Sequence, residues 1–145
     1  MILSRDEIKT FANINDAELD ILEQIKEIIK LRPSGKLQIQ GTQAQLDELS
    51  TRLIEIITGL QYQFSYEKLD LEKIKAAYFV NKMSIFKKEE IFFKFLNEST
   101  PESAKFQTQT LKVDRLEAYI QGLDKLTWVI KSKNSNLSVA HSTDY

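Results

Sequence analysis

The chain has no cysteine and a single histidine, His141, among its 145 residues. Those absences exclude a disulfide scaffold, a thiol nucleophile and a thiolate metal site, and leave almost nothing for imidazole catalysis. Four glycines and two prolines are too few for the many turns of an all-β fold. No run approaches the roughly 18 apolar residues of a membrane-spanning helix. The start, Met1-Ile2-Leu3-Ser4-Arg5-Asp6-Glu7, turns charged too early for a secretory signal, so a cytoplasmic protein is expected. Net charge is −1, so bulk charge points to neither nucleic acid nor membrane.

What is present is helical periodicity. Ser4 with Glu7 and Asn15 with Glu18 have the spacing of capping boxes. The first opens a turn or two, Arg5 to Ala12. The second opens a helix from Asp16 to about Leu31, with Leu22, Ile25, Ile28 and Ile29 on one face. Arg32-Pro33-Ser34-Gly35 stops it. Lys36 to Gly41 alternates apolar and polar residues and, lacking a partner strand, reads as a connector. Thr42 with Gln45 then opens a long helix to about residue 80. Its residues Leu46, Leu49, Leu53, Ile56 and Leu60 step by three and four, and Leu71, Ile74 and Tyr78 resume the stepping.

Asn97 to Glu102 is a stop and restart, with Thr100 capping ahead of Pro101 or Ser99 paired with Glu102. A second long helix follows to about Lys133, stepping through Val113, Leu116, Ile120, Leu123, Leu126 or Thr127, and Ile130. The expectation is an all-α, coiled-coil-like antiparallel hairpin over residues 42–136. A smaller helical part and connector precede it over 1–41, and a frayed tail follows over 137–145. Two helices with one seam each leave apolar surface over. Leu46, Leu49, Leu53, Ile56, Leu60, Val113, Leu116, Ile120, Leu123 and Trp128 are therefore expected at the contact of a homo-oligomer.

No nucleotide loop, nucleophile elbow or metalloprotease helix appears, and no catalytic residue, cofactor or metal ligand is assigned. Asp16, Asp20 and Glu23 share a helix face, which reads as a solvated acidic surface rather than a cation site. Placement of charge is more informative. Nine of the 14 aromatic residues lie between Tyr62 and Phe95, interleaved with Lys68, Lys73, Lys75, Lys82, Lys87, Lys88 and Lys94. Lysines neutralise phosphates and aromatic faces stack on unpaired bases, so the mixture suits single-stranded DNA. Lys75, Lys82, Lys87, Lys88 and Lys94 are the expected phosphate contacts, and Tyr78, Phe79 and Phe86 the stacking surface. Phe92, Phe93 and Phe95, with Ile91 and Leu96, suit the closed tip of a hairpin or a subunit interface better than they suit stacking. The alternative is a protein-binding adaptor or inhibitor, such as a small phage factor blocking a host enzyme, anchored by exposed aromatic residues. A structural virion component is a third option.

Glu72-Lys73-Ile74-Lys75-Ala76-Ala77-Tyr78-Phe79, Leu111 to Ile120 and Leu126 to Lys133 together resemble small phage recombination mediators of the UvsY-like type. The resemblance covers roughly residues 45–135. It implies an oligomer that binds single-stranded DNA and loads a recombinase in competition with a single-strand-binding protein. Lys75 and Ala76 match the start of that family's Lys-Ala-Arg-Leu element, with Ala77 and Tyr78 in place of its Arg and Leu.

Overall fold

The computed structural model describes residues 3–82 and 100–143. They form α1 (Arg5–Lys9), α2 (Asp16–Lys30), α3 (Lys36–Lys82) and α4 (Pro101–Thr143), with no strand among the described residues. α3 and α4 pack along each other in an all-α hairpin. Their polar cross-links set the direction: Gln43 meets Ser138, Asp47 meets Asn134, and Glu67 meets Gln109 and Lys112, so the helices are antiparallel. With 47 residues, α3 is about 70 Å long.

Both N-terminal capping boxes form. Ser4 Oγ accepts from the Glu7 amide and Asn15 Oδ1 from the Glu18 amide, while each glutamate accepts from the cap residue's own N–H. At the restart, Thr100 Oγ1 accepts from the Ser103 amide, which makes Thr100 the cap and Pro101 the first helical residue.

Residues 36–41 are not a connector; they are the first turns of α3. Gly35, at φ +82, reverses the chain, and the Ile39 amide donates to the Gly35 carbonyl. The Gln38 side chain accepts from the Ser34 amide across the same turn. Leu37 is 84% exposed and Ile39 1%, so the alternation hid a helical pattern. Ile39, Thr42, Leu46 and Leu49 are one continuous stepped stripe, and Thr42 is a buried interior residue rather than a cap. The C-terminal tail is corrected likewise. α4 continues to Thr143 because Leu137, seven residues beyond Ile130, is still buried in the core. Gln43 donates to Ser138 Oγ at 3.0 Å, and Lys133, where the helix was expected to end, donates to the Leu31 carbonyl at 2.7 Å.

The hairpin has two halves. Proximally, α2 lies on α3 with Leu19, Leu22 and Ile25 buried, and these join Leu46, Leu53, Leu60, Leu116, Ile120, Leu123 and Ile130 in one core. Distally, α3 and α4 pair alone among the described residues: Leu71 and Ile74 are half-buried, and Tyr78, Ser103 and Val113 are buried there. The seam of the distal half is partly polar, since Glu67 accepts from Gln109 Nε2 at 2.6 Å and pairs with Lys112 at 3.1 Å.

Leu46, Leu49, Leu53, Ile56, Leu60, Val113, Leu116, Ile120 and Leu123 are all buried inside one chain. Their expected place at a subunit contact is corrected to an intramolecular seam, because α2 and the opposite long helix already cover them. Only Trp128 of that set faces solvent, 68% exposed, with Lys131 Nζ 4.9 Å from its ring centre.

The acidic face of α2 is not merely solvated. Arg5 of α1 reaches Asp20 at 2.6 Å and Glu23 at 2.8 Å, and Lys9 reaches Asp16 at 2.6 Å. The hydrogen bonds that Arg5 donates to Glu23 and then to Asp20 hold its guanidinium pKa above the ordinary value. The hydrogen bond and charge of Lys9, helped by Arg5, hold Asp16 below the usual aspartate range. A depressed carboxylate contributes stability above its unfolded pKa of about 3.9 and loses it as pH falls through the lower folded value. Carboxyl NMR should therefore show Asp16 titrating below about 3.9, with Ile8 methyl signals moving in step as α1 loosens. These groups are exposed, so high salt should shrink the shift. Titration at the free-aspartate value, with Ile8 unmoved, would show that the ion pairs do not hold α1.

Candidate interaction surfaces

α1 is too short to cover α4, and an open groove remains between them. One wall is the α1 side, with Leu3, Glu7, Thr10 and Phe11, and Lys26 of α2 joins the rim. The other wall is one face of α4, Arg115, Ala118, Tyr119, Gly122, Leu123, Lys125, Leu126 and Val129. Ala118 and Gly122, four residues apart, make a notch at its centre: a Cβ built on Gly122 meets nothing within 4 Å. The cavity measures about 840 Å³ and its floor is mainly apolar. The Phe11 and Tyr119 rings meet edge to face, 5.8 Å apart at 76°, and burial raises the Tyr119 hydroxyl pKa.

Three cations border the groove: Lys26, Arg115 and Lys125. None of them has an ion-pair partner among the described residues. The one carboxylate there, Glu7, already accepts from the Ser4 amide in the α1 capping box. The groove is therefore apolar within and positively charged at its edge.

A second exposed feature lies on the side of α3 away from the core. Tyr62, Tyr66, Leu69 and Lys73 follow one another at i, i+4, i+7 and i+11, so they share one helix face. Tyr62 and Tyr66 are 68% and 69% exposed.

The residues expected to contact nucleic acid are not gathered into one described surface. Tyr78 is 5% exposed, so its ring packs inside the hairpin and is corrected from stacking surface to core. Lys75 is half-buried and engaged in a contact of its own. Phe79 and Lys82 belong to the last turns of α3. Phe86, Lys87, Lys88 and Lys94 lie outside the described residues.

No family model, curated protein or solved structure matches this chain. Its function is thus read from its own surfaces. Among the described residues no helix is long and apolar enough to cross a membrane, and no three histidine or acidic side chains are grouped to hold a metal ion.

Sequence reasoning missed the groove, although Arg115, Ala118, Gly122 and Lys125 carry a signal: small residues at helical spacing flanked by cations. The pattern is legible only once α1 is known to lie across α4. Gln63 was missed as well. It reads as one more polar residue, yet it is buried and holds the α1–α2 connection with both ends of its amide.

Proposed function

We propose that the chain is a non-catalytic protein-binding helical module, the adaptor-like alternative of the sequence reading. One observation carries it: an apolar groove, rimmed by cations without ion-pair partners among the described residues, left open beside the core. Contiguous exposed apolar surface with a polar border is the usual mark of a partner site. Gly122 allows a clean test, because a side chain there points into open space and the helix gains about 1 kcal/mol when glycine is replaced by alanine. Selection of displayed random peptides on the full chain should enrich apolar residues at helical spacing, and Gly122→Phe should release the enriched peptides. A selection that enriches nothing, or peptides that Gly122→Phe retains, removes this reading.

Single-stranded DNA binding is the second reading, favoured by the exposed Tyr62–Tyr66–Leu69–Lys73 face that leads toward the lysine-rich segment. With it goes the mediator role implied by the UvsY-like resemblance, with a recombinase or single-strand-binding protein as partner. An oligothymidylate arm of the same experiment separates the two. DNA binding should weaken with salt at a log–log slope of about −0.7 per phosphate contact. It should be lost in Lys82→Glu/Lys87→Glu/Lys88→Glu and be indifferent to Gly122→Phe.

A further inference from the structure

We infer that the partner segment seated in the α1–α4 groove is an acidic amphipathic helix. The inference rests on the protein-binding reading and specifies its occupant. From Arg115 to Val129 the groove follows α4 for about 21 Å, the length of some four helical turns. The groove is open along that length, so a helix about 10–12 Å across seats one face in it and leaves the other in water.

Backbone chemistry selects the helix over an extended segment. An extended peptide carries unpaired N–H and C=O groups that must find partners where it is covered. The floor supplied by Phe11, Leu123, Leu126 and Val129 offers none, and there is no strand edge among the described residues to augment. A helix satisfies those groups internally and presents only side chains. The notch at Ala118 and Gly122 lets one large apolar side chain of the partner approach the α4 backbone closely.

Charge selects the acid. Lys26, Arg115 and Lys125 stand at the edge without ion-pair partners among the described residues, while Glu7 is occupied by its capping contacts. Arg115 and Lys125 are separated along α4 by about 15 Å, or nearly three turns. A partner carrying carboxylates at that separation on the flanks of an apolar stripe matches both at once. A basic helix of equal hydrophobicity meets three like charges instead, and like-charge juxtaposition is what disfavours a wrong partner.

The test uses the full chain and three labelled helical peptides about 18 residues long. They share one leucine- and phenylalanine-rich face and differ in carrying acidic, neutral or basic flanks. At low salt the acidic peptide should bind roughly tenfold more tightly than the basic one, and the gap should close as salt rises. Lys26→Glu/Arg115→Glu/Lys125→Glu should reverse the order, and Gly122→Phe should abolish binding of all three. Equal binding of acidic and basic peptides, still lost in Gly122→Phe, overturns the inference and leaves the protein-binding reading standing. Absence of binding by every peptide overturns both. Displacement of the acidic peptide by a long-chain carboxylate alone, with no charge order among the peptides, also overturns the inference in favour of a small amphiphile.

Discussion

Leu53→Ala should lower unfolding stability by about 2–5 kcal/mol, whereas Leu71→Ala, on the same helix and the same stepped stripe, should lose under about 1.5 kcal/mol. The contrast follows from what covers each residue. Leu53 is fully buried in the three-helix half, where it joins a core shared by α2, α3 and α4. Removing its side-chain atoms forfeits their transfer free energy and leaves a cavity that three packed helices can only partly close. Leu71 is half-buried in the distal half, where water already reaches it and no third helix stands over the gap among the described residues. Chemical denaturation of the two variants measures both losses, with the denaturant dependence checked for a constant slope. Equal losses would mean that the distal half is as firmly packed as the proximal half, and the division of the hairpin into two halves would fall. Leu116→Ala, its side chain also fully buried, should behave as Leu53→Ala does.

That division also explains how much was legible beforehand. Local hydrogen bonding is encoded by neighbours in sequence, so the capping boxes at Ser4 and Asn15 could be read directly. At the restart the choice of caps was narrowed to Ser99 or Thr100, of which Thr100 is the one that forms. Heptad stepping likewise announced the two long helices and their apolar stripes. Periodicity states that a stripe must be covered, but not by what. Leu46 and Leu116 therefore looked like subunit contacts until α2 and the antiparallel neighbour were seen to cover them. The helix ends were misjudged for a related reason. Lys36 to Gly41 and Leu137 to Thr143 have weak local signals and are kept helical by partners far away in the chain: Ile39 and Leu137 by the core, and Ser138 by Gln43. The acidic face of α2 was visible, but the arginine that binds it lies on a different helix. The groove combines α1, α2 and α4, so no window of sequence contains it. Burial of Tyr78 shows the same gap from the other side, since an aromatic residue among lysines has no local mark that separates a stacking ring from a core ring.

Gln63 sits where two such distant connections meet, and its replacement should have the largest effect of any polar substitution. Its Oε1 accepts from the Asn13 amide at 2.7 Å, and its Nε2 donates to the Phe11 carbonyl at 2.9 Å. One side chain on α3 thereby satisfies both backbone groups of the tight link between α1 and α2, at a point where the neighbouring Phe11, Ala12 and Ile14 are buried. Gln63→Met keeps the length and apolar volume but offers neither donor nor useful acceptor, leaving the buried Phe11 carbonyl and the part-buried Asn13 amide without this partner. Each such loss costs about 1–3 kcal/mol, so a total of about 2–4 kcal/mol is expected. Gln63→Glu should be intermediate, since a carboxylate still accepts from Asn13 but turns an oxygen toward the Phe11 carbonyl. Denaturation gives the total, and amide exchange at Asn13 and Ile14 shows whether the loss is local. The two variants keep packing and hydrogen bonding apart. If Gln63→Met is as stable as the parent, the amide is only filling space and the link is held by Phe11 and Ile14 alone. If it falls as expected while α3 and α4 remain protected, then Gln63 is the residue that keeps α1 across α4. The wall of the groove that α1 provides then depends on one side chain 50 residues away in the sequence.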